Sequence, residues 1–312
     1  MLRAVAVISL LALVVSACDA TERSSGGGLS AHELAIKADD VVAGPRGVYA
    51  VEGGHVQAVD PATGKAAGEP IELHALGTRM VVDDQGAVWF IDREQPRATR
   101  VAPDGAVTQL AMPEGERPVG IAVVNGTAWV SSISPNVVFP FSADGTRGEP
   151  VQTPCAVVQL AAGDGVVWGA CDKGAIRLDT VSRQVMLVDT YGVPGDLAVT
   201  APAVWALVAD RLVAIDPRTG VAAGSVPAPA DANSIVGANG ALWVAATPAG
   251  DGPEKITRHD ASDMALLAGP VDVPGSSTDV PARVSSMAVF GDELWLTATV
   301  YGSPLVVVRQ GG

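Results

Sequence analysis

The sequence predicts an all-β chain built as a closed ring of seven four-stranded antiparallel units, and three observations carry that prediction. All six tryptophans, Trp89, Trp129, Trp168, Trp205, Trp243 and Trp295, fall roughly 40 residues apart, with a longer last interval, and Tyr49 holds a seventh place at the same spacing. Each of these aromatics sits in the same local pattern: an apolar stretch, a Gly-containing turn, then a strand that holds the ring. The last unit has one strand too few at the C-terminus, and an unassigned strand precedes the first unit. Four strands in about 40 residues is the period of a β-propeller blade, so the expected architecture is a seven-bladed propeller over residues 32–312.

The first eighteen residues have a different character. Arg3 is followed by an almost unbroken apolar run, Ala4 to Val15, and then by Val15-Ser16-Ala17-Cys18. A charged start, an apolar middle and a small-residue end form a secretory signal, too short for a comfortable transmembrane helix. Residues 1–17 are therefore read as a signal peptide. Residues 18–31, with Gly26-Gly27-Gly28, are small and polar, and read as a flexible tether.

Each ring unit opens with a hairpin. Asn125-Gly126 and Asn239-Gly240 accept the positive φ that tight hairpin turns demand. A second turn follows in most units, clearest in Asp60-Pro61-Ala62-Thr63-Gly64 and Asp216-Pro217-Arg218-Thr219-Gly220. There Pro presets the turn, Gly ends it, and the Asp side chain bonds the backbone that follows. A more polar fourth strand closes each unit. The aromatics fall on the second strand, where they fill the wedge between neighbouring units. The final unit has strands near Ser286–Val289, Leu294–Thr299 and Leu305–Arg309, and His32–Lys37 is expected to supply its fourth strand and so join the two ends.

Composition excludes several functions. The chain has 20 basic and 34 acidic residues, a net charge of −14, which repels nucleic acid and anionic lipid headgroups. After residue 17 no apolar run approaches the ~20 residues of a spanning helix. With 48% hydrophobic residues, regularly spaced, the chain is not disordered.

Val15-Ser16-Ala17-Cys18 resembles a bacterial lipobox. That resemblance implies cleavage before Cys18, a diacylglycerol on its thiol, and a lipid-anchored protein on the extracytoplasmic side of the cell membrane. Residues 32–312 resemble the YVTN-repeat and quinoprotein-amine-dehydrogenase-like propellers, through the Gly-x-x-Trp hairpins and the Asp-Pro-x-Thr-Gly turns. In the quinone-binding members a Trp follows the Lys of that turn, whereas Ala66 follows Lys65 here, so no cofactor is expected. There is a more distant likeness to the virginiamycin B lyases, which implies a His and acidic residues around a magnesium ion at the propeller mouth. The mature His residues, His32, His55, His74 and His259, are all read as lying outside loops that enter a first strand, so no catalytic or metal-binding residue is assigned.

Two site expectations remain. Cys155 and Cys171 flank the first hairpin of the fourth unit, and a three-residue loop centred on Gly163 would place them opposite each other, within disulfide range in an oxidising compartment. Arg79, Arg117 and Arg283 lie at or just before first strands, where blade loops meet the central channel, with Asp196 and Asn233 in similar places. On so acidic a chain, Arg at a funnel suits an anionic ligand or a partner's carboxylate. The leading reading is a non-enzymatic binding or scaffolding propeller whose partner is an envelope protein or a small anionic ligand. The alternative is a lyase or hydrolase with its site at the channel mouth.

Overall fold

A computed structural model describes residues 28–73, 79–92, 95–250, 252–275, 282–298 and 303–311. The described strands form seven sheets of four antiparallel strands each, the seven-bladed propeller expected. Blades 1 to 6 span residues 40–72, 79–111, 120–152, 157–188, 196–227 and 232–272, each in the simple order first to fourth strand. Blade 7 joins residues 284–310 to the strand Leu29–Lys37, which pairs antiparallel with Pro304–Gln310 from Leu29↔Gln310 to Lys37↔Pro304. The ring is thus closed by its two ends. This strand begins at Leu29, so the last residues expected in the tether belong to the ring. Cys18 and residues 1–17 lie outside the described residues.

The turns form for the reasons read in the sequence. Asn125 and Gly126 have φ of 50° and 72°, and Asn239 and Gly240 of 51° and 74°. Asp60 accepts from the Ala62 amide at 3.0 Å and the Thr63 hydroxyl at 2.6 Å, and Asp216 accepts from the Arg218 amide at 2.8 Å. Hydrogen bonds from the turn hold both carboxyls below the usual range, from Thr63 and Ala62 at Asp60 and from Arg218 and Thr219 at Asp216, where the Arg218 charge adds to them.

The core is divided into seven clusters, one for each seam between neighbouring blades. Each anchor aromatic occupies the seam that its blade shares with the next. Trp89 fills the seam of blades 2 and 3, and Trp295 that of blades 7 and 1. Trp89 is fully buried and donates through Nε1 to the buried Asp83 at 2.8 Å, with the Arg100 guanidinium 5.4 Å from its ring centre. Burying such a ring contributes about 1.5–3 kcal/mol. Tyr49 is the exception in chemistry: it is half-buried, and its hydroxyl donates to the Gly86 carbonyl at 3.3 Å.

The disulfide forms, but not by the expected loop. Cys155 and Cys171 are bonded, with Cα atoms 5.9 Å apart. The hairpin between them turns on two residues, Asp164 and Gly165, both at positive φ, and not on three. Register then slips at a bulge between Val157 and Gln159, so that Cys171 pairs with Val157. Cys155 reaches Cys171 from just before the strand, and the bulge does the work assigned to the longer loop.

Candidate functional site

Antiparallel order gives the ring two distinct faces. Connections into each first strand, and turns between second and third strands, lie on one face, the entry face. Hairpin turns of the first and third strands lie on the other. The closing strand runs from the opposite face at Leu29 toward the entry face at Lys37.

The first strands, among them Asp40–Gly44, Arg79–Val82, Asp196–Val199 and Val284–Phe290, line a central channel of about 830 Å³. One position recurs around its entry end. Two residues before the partner of each anchor aromatic stand Asp40, Arg79, Gly120, Gln159, Asp196, Ser234 and Ser286. All but Gly120 are polar or charged. At Gly120 a Cβ would lie 2.9 Å from the Ser131 hydroxyl and 3.2 Å from the Leu160 amide nitrogen, so the seam of blades 3 and 4 admits only glycine there.

The ring's polar groups serve one another on blades 4 to 7. Asp196 accepts four hydrogen bonds: from Gln159 Nε2 at 2.5 Å and the Leu197 amide at 2.8 Å on Oδ1, and from the Ser234 hydroxyl at 2.9 Å and the Ile235 amide at 2.8 Å on Oδ2. These bonds run from blade 4 across blade 5 to blade 6. Burial pushes the Asp196 carboxyl above its ordinary range, against the pull of those donors. Burial does the same to Asp40, opposed by Ser286 and by the nearby Arg79 charge. Glu254, fully buried in the turn that follows the second strand of blade 6, accepts from Asn233 Nδ2, the Thr247 hydroxyl and the Val284 amide. It ties blade 6 to blade 7.

The five residues expected at a funnel therefore separate. Asp196 and Asn233 lie on the channel wall as members of this network. Arg283 donates to the Gly252 carbonyl at 2.9 Å, beside the Glu254 network, and lines neither cavity. Arg79 and Arg117 come together in a second, shallower hollow of about 420 Å³ on the entry face, over blades 2 to 4. Its lining is otherwise largely apolar: Pro118, Val119, Ile133 and Val158, with Ser132 and Ser134. Ile133 and Val158 are 46% and 42% exposed; other large apolar side chains of the ring are exposed too, among them Val181 and Leu266, but these two lie side by side with Arg117 in one hollow. The buried Glu116, between the lining residues Gly115 and Arg117 in the chain, accepts a hydrogen bond from Ser132.

Sequence reasoning did not single out Gln159, Glu116 or Glu254. Gln159 was open to discovery by counting nine residues back from its aromatic, since that offset also yields Asp40 and Asp196; Arg79 stands ten before Trp89, because the Val82–Val88 hairpin is longer. The two glutamates carry no such periodic mark, because they sit in connections whose lengths differ from blade to blade.

None of His32, His55 and His259 lines the channel or the hollow. His259 is largely buried beside Thr257 and Met264, and burial lowers its pKa. His74 lies outside the described residues. In chain order it falls between the fourth strand of blade 1, ending at Glu72, and the first strand of blade 2, starting at Arg79, so one His does precede a first strand, contrary to the sequence reading. Among the described residues, one group of metal-type side chains comes together, Cys155, Cys171 and Asp172, and its two sulfurs are bonded to each other.

No family model and no curated protein matches the chain. Solved structures do. Virginiamycin B lyase from Staphylococcus aureus aligns over 90% of this chain and 98% of its own at 16% identity, with a TM-score of 0.70. The WD40 repeats of RRP9 align over 92% and 99% at 10% identity and a TM-score of 0.71. BamB from Moraxella catarrhalis aligns over 87% and 82% at 15% identity and a TM-score of 0.55. At such identities the shared feature is the fold. The chain is a seven-bladed β-propeller, an architecture that serves lyases and non-catalytic proteins alike.

Proposed function

We propose that this chain is an exported lipoprotein, anchored through Cys18 on the extracytoplasmic side of the cell membrane. Its ring is a non-enzymatic binding platform for an envelope protein or a small anionic ligand. The observation that carries the binding reading is the division of labour on the entry face. The carboxylates of Asp196 and Glu254 are filled by donors of the ring itself, while the hollow with Arg79 and Arg117 opens outward. A carboxylate held by four donors is a frame element, poorly placed to exchange protons with a substrate. Rigid blades that present loops of varied length suit recognition. The anchor is supported by Val15-Ser16-Ala17-Cys18, and export by the Cys155–Cys171 disulfide, which an oxidising compartment sustains.

The test is cross-linking of the tagged chain in its native envelope. One reproducible partner, lost when Arg79 and Arg117 are changed to Ala, is the expected result. Cys18→Ala should abolish lipid labelling and release the protein from the membrane fraction; retention without lipid would remove the anchor from the reading. A second reading, a lyase or hydrolase at the channel mouth, draws on the burial of Asp40 and Asp196, whose raised pKa values suit a proton donor. It requires turnover that Asp196→Asn abolishes in a folded ring.

A further inference from the structure

We propose that the hollow over blades 2 to 4 binds a small amphipathic carboxylate: one negatively charged head on a single apolar chain. This rests on the binding reading above and names its ligand class. Three features of the site specify that chemistry. The head group is set by charge. Arg117 is exposed at the rim and has no hydrogen bond or ion pair among the described residues, and Arg79 lines the same wall. Two arginines lining one hollow are a local exception on a chain of net charge −14. A guanidinium offers a planar fork that matches a carboxylate.

The number of charges is set by the acids close by. Asp40 lies near enough to Arg79 to feel its charge, and the buried Glu116, next to Arg117 in the chain, accepts from the lining residue Ser132. Two acidic side chains beside two arginines weigh against a second negative charge on the ligand. Room is left for one negative charge, and a doubly charged phosphate is disfavoured.

The body is set by the lining. Pro118, Val119, Ile133 and Val158 form an apolar surface beside the two arginines, and Ile133 and Val158 are 46% and 42% exposed. Covering them contributes on the order of 25 cal/mol per Å² of apolar surface removed from water. A volume of about 420 Å³ is in the range of small-ligand sites and too small for a diacyl lipid. Each wall comes from a different element: Arg79 from the first strand of blade 2, Arg117 and Pro118 from the connection into blade 3, Ile133 from the end of the second strand of blade 3, Val158 from the first strand of blade 4. The disulfide holds that last wall in place, because Cys155 lies just before Val158.

The probe is a decanoate carrying a diazirine on its chain, photolysed with the full-length protein in nanodiscs and mapped by mass spectrometry. The expected result is labelling confined to peptides around 115–119, 132–134 and 158. Excess decanoate should compete it away and decyltrimethylammonium should not. Arg117→Ala, a surface change that leaves the ring folded, should weaken labelling about tenfold, the loss expected for a charge-assisted contact. Ile133→Asp should weaken it through the chain and not the head. Labelling spread over the ring, equal competition by the cation, or no change in either variant overturns the proposal. If decyl phosphate competes better than decanoate, the single-charge argument is overturned. The protein-partner half of the binding reading fails on a different result: an envelope cross-linking experiment that captures nothing. A captured protein partner together with unlabelled decanoate therefore rejects the ligand class and keeps the platform.

Discussion

The entry face has two arcs of opposite design. Across blades 4 to 7, charged and polar side chains turn toward each other: Asp196 gathers donors from three blades and Glu254 ties blade 6 to blade 7. Across blades 2 to 4, charged and apolar side chains turn outward: Arg117, Ile133 and Val158 sit around a hollow. The difference teaches that a polar residue at the channel is not by itself a sign of a site. Four donors on one carboxylate mark it as a rivet, whereas an exposed aliphatic pair beside Arg marks an opening.

Mutation can break this comparison. Glu254→Ala should have the largest effect: it removes a fully buried acceptor and its three hydrogen bonds, from Asn233, Thr247 and the Val284 amide, at about 1.5 kcal/mol for each bond. A fall in denaturation midpoint is the measurement. Reducing the Cys155–Cys171 bond comes next, at about 3 kcal/mol for a loop of this length. It should also loosen the blade-4 wall of the hollow, read as faster amide exchange at Val157 and Val158. Asp196→Asn tests the riveted arc by pH. Burial raises the Asp196 pKa in the folded state, so the folded state binds more protons than the unfolded one just above the ordinary Asp range. The stability owed to Asp196 is therefore fullest in acid and declines as pH rises from the ordinary Asp value through the raised one. The Asn variant should flatten that decline in the melting temperature. Arg117→Ala should move stability least, by less than about 0.5 kcal/mol, as befits an exposed side chain. Equal destabilisation by Glu254→Ala and Arg117→Ala would erase the distinction between the arcs.

Much of the fold was legible because aromatics at a fixed interval leave few alternatives. Trp89 to Trp295 each fill one seam, and the shortfall of a strand at the C-terminus pointed to a partner near the N-terminus. The Cys pairing was legible as a proximity, yet its geometry was not. A bulge at Val157 adds a residue without changing the composition, and counting along strands does not detect it. The site was half legible. Arg79 and Arg117 do share a hollow, but Arg283 is directed elsewhere, to the Gly252 carbonyl. Hydrophobic period reports strands well and says little about where an irregular connection takes its side chains. Ile133 and Val158 looked like ordinary strand residues, and only the packed ring reveals them as uncovered.

The closing strand has a mechanical consequence. Leu29 begins it on the face opposite the hollow, and on the proposed anchoring Cys18 lies a short tether upstream. Any tug between lipid and protein would then enter the fold at Leu29 and run lengthwise along its ladder with Pro304–Gln310. Tension in that direction slides many hydrogen bonds together and does not peel them one at a time. The strand that buckles the ring shut would also be its mooring line, so a pull strong enough to slip it would spring blade 7 while the hollow over blades 2 to 4 still faced away from the bilayer.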